Sequence, residues 1–469
     1  MMKFLFVLCC LLQFCDSFSQ TVTQKLQKAF QQFENDGQLK YAISSLYVID
    51  AKTGKVVFDK NSQIGLAPAS TQKVVTSVTA YELLGKDFTY KTNFVLSKDL
   101  HLGNLYLFVQ GSGDPTFGSS RFRSTSPSLI FDNIYRSLQN SAPQTLFVLD
   151  FMFGTASLPE GYIWQDIGNY YGSGHYQLNW KENQYDIVFE SGKEKITSKV
   201  IKINMDTTGM TFFNEVISGS PESGDNAYIY AAPYSKNIYL RGTIPPNKKS
   251  FEISGAVPDP PLSFAKELKA DLESRWKNII SEKKVNAYVT GRSTNELIGM
   301  PVFGSFDTVY KYSSPPLDSI IYWFNKKSIN LYGEALIKTV AYEKNGFGST
   351  DSGVAIVKKF WKQKGIDEAE LNISDGSGLS PQNRVTTHAQ VEILKYARTR
   401  DWFSSFYNSL PEYNGMKIKS GTIKDVKGFC GYHKAKDGKE YIFSFLVNNY
   451  NGSSSALVNK MYKVLDVLK

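Results

Sequence analysis

The sequence predicts an α+β protein: an antiparallel sheet with helices packed on it, built from both ends of the chain and interrupted by a large insertion. Three observations carry this reading. The chain begins as helix, hairpin, helix; it ends as strand, turn, strand, helix; and residues 179–258 show short strand-like runs with little helix.

Taken in order, residues 21–36 set Val22, Leu26, Ala29, Phe30 and Phe33 on one side of a helix. Tyr41 to Asp50 and Lys55 to Asp59 read as strands joined by the turn Ala51-Lys52-Thr53-Gly54. Pro68-Ala69-Ser70 then opens a helix in which Val74, Val75, Val78, Tyr81 and Leu84 fall near helical spacing, with Gly85 as its stop. Phe88 to Ser97 and Asn104 to Gln110 are strand-like and lead to the tight turn Gly111-Ser112-Gly113-Asp114-Pro115. Leu129 to Leu138 reads as a helix and Thr145 to Asp150 as a strand. Within the β-rich stretch the strand-like runs are 187–189, 200–204, 211–217, 227–231 and 238–241, and a helix starts near Leu262 after Pro258, Pro260 and Pro261. Helical patterns dominate after residue 315, with Asp375-Gly376-Ser377-Gly378-Leu379-Ser380 as a loop. Met416 to Ser420, Gly428 to Lys434 and Tyr441 to Asn448 are the closing strands, and Ser454 to Leu468 is the closing helix.

A chain of 469 residues has room for two or three domains. The formal charge of +9 is spread without a long block, which suits a solvated surface facing an anionic envelope polymer or a membrane face. No nucleic-acid-binding motif is present, so nucleic acid is not an expected partner. Residues 1–19 read as a secretory signal: Lys3 is the positive start, Phe4 to Phe14 the apolar run, and cleavage is expected near Ser19-Gln20. Gln13-Phe14 makes a poor lipidation box for Cys15. An exported, periplasmic or envelope protein follows, and with Cys430 as its remaining cysteine it has no intramolecular disulfide.

Chemistry concentrates in three short motifs: Ser70-x-x-Lys73, Ser328-x-Asn330 and Lys419-Ser420-Gly421-Thr422. Singly each is weak. S-x-x-K recurs at Ser263/Lys266, Ser274/Lys277 and Ser281/Lys284; S-x-N recurs at Ser235 and Ser293; and Lys52-Thr53-Gly54 is a closer literal K-T-G, though it sits in a hairpin turn. Their order and local setting single out the chosen three. Ser70 at a helix start supplies an attacking oxygen, and Lys73 one turn on takes its proton if burial lowers its pKa. Ser328 passes a proton to a leaving amine, and Asn330 holds Lys73 and a substrate amide. Lys419, with the Ser420 and Thr422 hydroxyls, receives a carboxylate. The backbone N–H groups of Ser70 and Thr422 form the oxyanion hole, and the strand edge at Gly421 takes an extended peptide. The scattered histidines and the absence of H-E-x-x-H argue against a metal site, no cofactor is implied, and the lack of G-x-S-x-G argues against an α/β-hydrolase.

These motifs occur with Gly111-Ser112-Gly113-Asp114-Pro115, Tyr170-Tyr171-Gly172, Ser314-Pro315-Pro316-Leu317, Leu331-Tyr332-Gly333-Glu334 and the 375–380 loop. Together they resemble the D-alanyl-D-alanine carboxypeptidase/endopeptidase family of class C low-molecular-mass penicillin-binding proteins. The resemblance implies a penicillin-binding-protein/β-lactamase-like transpeptidase domain over 20–89 and 306–469. It also implies an inserted domain over 90–178 and 259–305, with a β-rich domain nested at 179–258. The implied activity is hydrolysis of D-Ala-D-Ala bonds and D-Ala cross-links in peptidoglycan stem peptides through an acyl-serine, with β-lactams acylating Ser70 as mimics. A β-lactamase using the same site and an idle peptidoglycan-binding scaffold are the alternatives. Ser420 stands where the family has Thr, Ile329 where Asp is frequent, and Ser173 where Ala is usual. Asp150 and Asp166 are candidates for reading the third residue of the stem peptide.

Overall fold

The computed structural model of the protein describes residues 20–139, 141–277, 284–293 and 301–469. The signal segment and Cys15 lie outside the described residues. The central sheet has six strands in the order Glu412–Tyr413, Met416–Ile423, Val426–Lys434, Glu440–Asn448, Ile43–Asp50 and Val56–Lys60. Its neighbours are antiparallel, and Ile43 pairs with Asn448 at the seam between the two chain ends.

Both faces of this sheet are covered, so its inner strands are apolar almost without alternation. Leu46, Val48, Phe443 and Phe445 pack against Leu26, Phe30, Leu457 and Met461 of the helices Val22–Glu34 and Ser454–Leu465. Tyr47, Ile49, Cys430 and Ile442 face a second layer containing the helices Lys73–Leu84, Leu317–Lys327, Asn330–Asn345 and Thr387–Ala397. In that layer the Lys73–Leu84 helix is buried continuously from Lys73 to Tyr81, as a central core helix must be.

The insertion carries a five-stranded sheet ordered Asn286–Thr290, Thr145–Leu149, Leu105–Gly111, Lys91–Asp99 and Phe303–Ser313. Helices Pro127–Leu138 and Pro260–Trp276 share a core with it through Ile130, Ile134, Phe264 and Leu268. The expected return to the catalytic unit at residue 306 falls inside Phe303–Ser313, which pairs with Lys91–Asp99. The chain therefore leaves this sheet only near Ser314, where Ser314 N–H donates to the Tyr90 carbonyl. The alternating Phe306, Thr308 and Tyr310 hide that strand's partner from a local reading. The β-rich stretch forms two three-stranded sheets around Ile187, Phe189, Ile229, Ile238 and Leu240, and it includes the strand Phe251–Ala256 that local patterning missed.

Candidate active site

Ser70 lies in a single 3₁₀ turn, Ala69–Gln72, that precedes the Lys73–Leu84 helix, not in the first α-turn. Ala69, at φ +46°, makes the sharp entry. The turn is pinned from three sides. Asn448 Nδ2 and Oδ1 bond the carbonyl and N–H of Ala67 at 3.1 and 2.8 Å. Gln390 Nε2 donates to Thr71 Oγ1 at 2.9 Å. From behind comes the 375–380 loop: Gln72 donates to the Asp375 carbonyl, and Gly378, at φ +84°, passes so close that a Cβ would stand 1.9 Å from the Ala69 carbonyl oxygen.

Lys73 is fully buried. Its Nζ has three partners: Ser70 Oγ at 3.0 Å, Asn330 Oδ1 at 2.6 Å and the Ser377 carbonyl at 2.7 Å. None of the three is charged. In a neutral amine, two N–H bonds go to Asn330 and Ser377, which can only accept, and the lone pair is left facing Ser70. Burial pushes the Lys73 pKa well below the usual lysine range; the charge of Lys419 adds to this, while Asp375 and Glu334 oppose it.

Ser328 caps the helix Leu317–Lys327 in the left-handed region, at φ +57°. This uncommon conformation for serine holds it at the cleft. Lys419 Nζ donates to Ser328 Oγ and to the Ser420 carbonyl, both at 2.9 Å. Because Ser328 Oγ accepts there, its own proton is free to be given elsewhere. Lys419 is buried, which lowers its pKa to about 7. Asn330 opens the next helix, and its Nδ2 donates to the Tyr171 carbonyl at 2.8 Å, so both ends of the amide are assigned by their partners.

Gly421 brings the Met416–Ile423 strand against the Ser70 turn. A Cβ there would lie 2.5 Å from the Pro68 oxygen, 2.8 Å from Thr71 N and 2.9 Å from Ser70 N. On the side away from Val426–Lys434, and beyond the short pairing with Glu412–Tyr413, this strand has no neighbour from Lys419 to Ile423 among the described residues. Ser70, Ser328, Asn330 and Thr422 line one cleft of about 600 Å³, together with Ile163, Asp166, Tyr171 and Tyr228 of the insertion. Ser420 is half-buried and reaches this site through its carbonyl.

Local pattern reading missed several supporting groups. Tyr162 of the insertion bonds Ser377 Oγ at 2.9 Å and Glu334 Oε1 at 3.1 Å, and Glu334 also accepts from the Gly376 N–H at 3.0 Å. Burial, with Asp375 nearby, raises the Glu334 pKa to about 8. The 375–380 stretch and Glu334 stand out in the sequence; the contact of the Ser377 backbone carbonyl with Lys73 has no sequence signal. Of the two aspartates singled out, Asp150 is buried and bound to Arg292 at 2.8 Å, which also pairs with Asp259 at 2.7 Å. That ion-paired position does not line the cleft, whereas Asp166 does. Among the described residues no cluster of His, Cys, Asp or Glu is arranged to hold a metal ion, and no helix is long and apolar enough to cross a membrane.

The fold is that of a penicillin-binding protein. The crystal structure of penicillin binding protein 4 from Haemophilus influenzae superposes with a TM-score of 0.75, covering 94% of this chain and 98% of that one at 18% identity. A second structure of the same protein, complexed with a β-lactam, superposes with a TM-score of 0.69, over the same shares of the two chains and at the same 18% identity. The D-Ala-D-Ala carboxypeptidase 3 (S13) family matches residues 26–412, and the chain belongs to that family. The D-alanyl-D-alanine carboxypeptidase of Actinomadura sp. is 24% identical over 455 residues, 90% of this chain and 81% of that protein. The D-alanyl-D-alanine carboxypeptidase DacB of Haemophilus influenzae is 23% identical over 426 residues, 85% and 83%. The family match stops short of Lys419, so that residue's place in the site rests on the geometry.

Proposed function

We propose that the protein is a serine-type D-Ala-D-Ala carboxypeptidase, also able to cleave D-Ala cross-links, with Ser70 as nucleophile and neutral Lys73 as its base. The observation that carries this is the buried Lys73 amine, held by two fixed acceptors and in contact with Ser70 Oγ, an arrangement that turns its lone pair to Ser70 once it is neutral. Ser70 Oγ attacks the carbonyl of the penultimate D-Ala and gives its proton to Lys73 Nζ. The developing oxyanion is received by the N–H groups of Ser70 and Thr422, each donor contributing roughly 2.7–4 kcal/mol. Ser328 passes its proton to the departing D-Ala nitrogen, and Asn330 holds Lys73 and the substrate amide. Lys419 receives the terminal carboxylate with Ser420, Gly421 and Thr422 along the strand edge. Water then hydrolyses the acyl-serine. β-Lactams enter as substrate mimics that acylate Ser70. The catalytic unit comprises residues 20–89 with the chain after Ser314, the insertion forms a second domain and a nested β-rich third, and the enzyme acts in the envelope after export.

This assignment fixes the pH profile. Acylation needs Lys73 neutral, so kcat/KM rises as Lys73 loses its proton, below the usual lysine range. Carboxylate binding needs Lys419 charged, so kcat/KM falls above about 7 as that proton leaves. Lys419→Arg keeps its charge at all working pH. Its alkaline limb is expected to move upward when rates are followed from about pH 5 to 9; an alkaline limb unmoved in that variant would remove Lys419 from this role.

Asp166, which lines the cleft wall, is the residue we propose to receive a cationic group on the third residue of the stem peptide. Asp166→Asn is expected to reduce the preference for a peptide with a free side-chain amine over its acetylated form by roughly tenfold. The ratio of the two kcat/KM values measures this, and an unchanged ratio would discard Asp166 as the reader.

A further inference from the structure

A stem peptide held in the Ser70 cleft is one branch of a polymer, and the rest of the molecule must leave along some surface. The strands Thr211–Ser218, Asn237–Ile244 and Asn226–Tyr230 of the β-rich region provide a candidate. Tyr239 stands opposite both Phe213 and Tyr230, and Arg241 stands opposite both Glu215 and Tyr228. Directly opposed residues share a face of a sheet, so these six side chains form one surface. The reverse face, with Val216, Ile229, Ile238 and Leu240, is spent in the core.

The outer face is not consumed by packing. Phe213 is 41% exposed, and its ring stacks on Tyr239 with centroids 4.8 Å apart and planes at 14°. The Arg241 guanidinium lies 5.4 Å from the Tyr239 ring and 5.7 Å from the Tyr230 ring, and it pairs with Glu215 at 2.9 Å. Trp164, 50% exposed, sits 5.9 Å from Tyr230 and next in sequence to Ile163, Gln165 and Asp166 of the cleft wall. Tyr228 itself lines the cleft. The aromatic face is therefore continuous with the site that takes the peptide.

We propose that this face docks the glycan strand of the polymer whose stem peptide occupies the Ser70 cleft, an inference that rests on the function proposed above. One side of a sugar ring presents weakly positive C–H groups, which suit the exposed Phe213 ring, held in place by Tyr239 stacked on one of its faces. Its hydroxyls suit the donors and acceptors of the Arg241–Glu215 pair. Three strands spaced about 4.8 Å apart give a row about 10 Å across. That is the scale of a sugar or two.

The test compares wild type with Phe213→Ser/Tyr239→Ser and, separately, Arg241→Ala. Each is assayed on a short soluble acyl-D-Ala-D-Ala peptide and on purified sacculi, with co-sedimentation on sacculi as a binding readout independent of turnover. Both variants are expected to keep short-peptide kcat/KM and penicillin labelling within about twofold, while D-Ala release from sacculi and co-sedimentation fall about tenfold. Undiminished turnover and binding on sacculi, or equal losses on both substrates, would overturn the docking face. A wild type that neither cleaves the short peptide nor takes penicillin would instead sink the proposed function, and co-sedimentation of the variants would still decide the docking face.

Discussion

Replacing Lys73 with arginine is expected to lower the rate of Ser70 acylation by about 10³-fold, within the range seen when a general base is removed. The substitution puts a fixed positive charge of comparable bulk at this position, so it separates two roles. If Lys73 acted only as a fixed cation steering an anionic substrate, arginine would substitute well. A guanidinium does not give up its proton in a protein, so it cannot take one from Ser70. It also has no lone pair to turn toward Ser70 Oγ while its N–H groups engage Asn330 Oδ1 and the Ser377 carbonyl. Stopped-flow acylation by a chromogenic β-lactam measures the step directly. A Lys73→Arg enzyme acylating within about tenfold of wild type would refute the base assignment.

Gly421→Ala is expected to cost about 10²-fold in acylation, although it adds a single methyl group. The new carbon would face backbone atoms of Pro68, Ser70 and Thr71 at 2.5–2.9 Å, none of which can rotate away. The strand and the turn must therefore separate, and a displacement of about 1 Å at the reacting groups is sufficient for a loss of that size. Overpacking of this kind also costs roughly 1–3 kcal/mol of stability. The variant should melt lower and acylate slowly while Lys73 keeps its environment. Unchanged acylation by the same assay would show that strand-to-turn contact is not what aligns the site.

The residues that sequence reading placed best are those whose chemistry is local. Ser70 with Lys73, and Ser328 with Asn330, are spaced within one turn of chain, and a strand ending in Lys419-Ser420-Gly421 announces itself by composition. The structure brings all three motifs to one cleft. What could not be read locally depends on distant backbone. The Ser377 carbonyl meets Lys73 across 304 positions of chain. Tyr162 reaches Glu334 from an inserted segment. Asp150 and Asp166 are alike as letters, and only burial against Arg292 separates the ion-paired one from the one in the cleft. The boundary expected at residue 306 falls inside the strand Phe303–Ser313 for the same reason: strand pairing is a tertiary choice that local alternation does not reveal. The Lys73–Leu84 helix is the converse case. Buried on every side, it shows little periodic contrast, and its end was placed by Gly85 at φ +83°.

The most direct test of the central claim is to expose the purified protein to benzylpenicillin and map the adduct by mass spectrometry. A single penicilloyl group is predicted on the tryptic fragment spanning residues 61–73, at Ser70, and it should be absent from Ser70→Ala. An unlabelled wild type, or an adduct that persists in Ser70→Ala, would contradict the account.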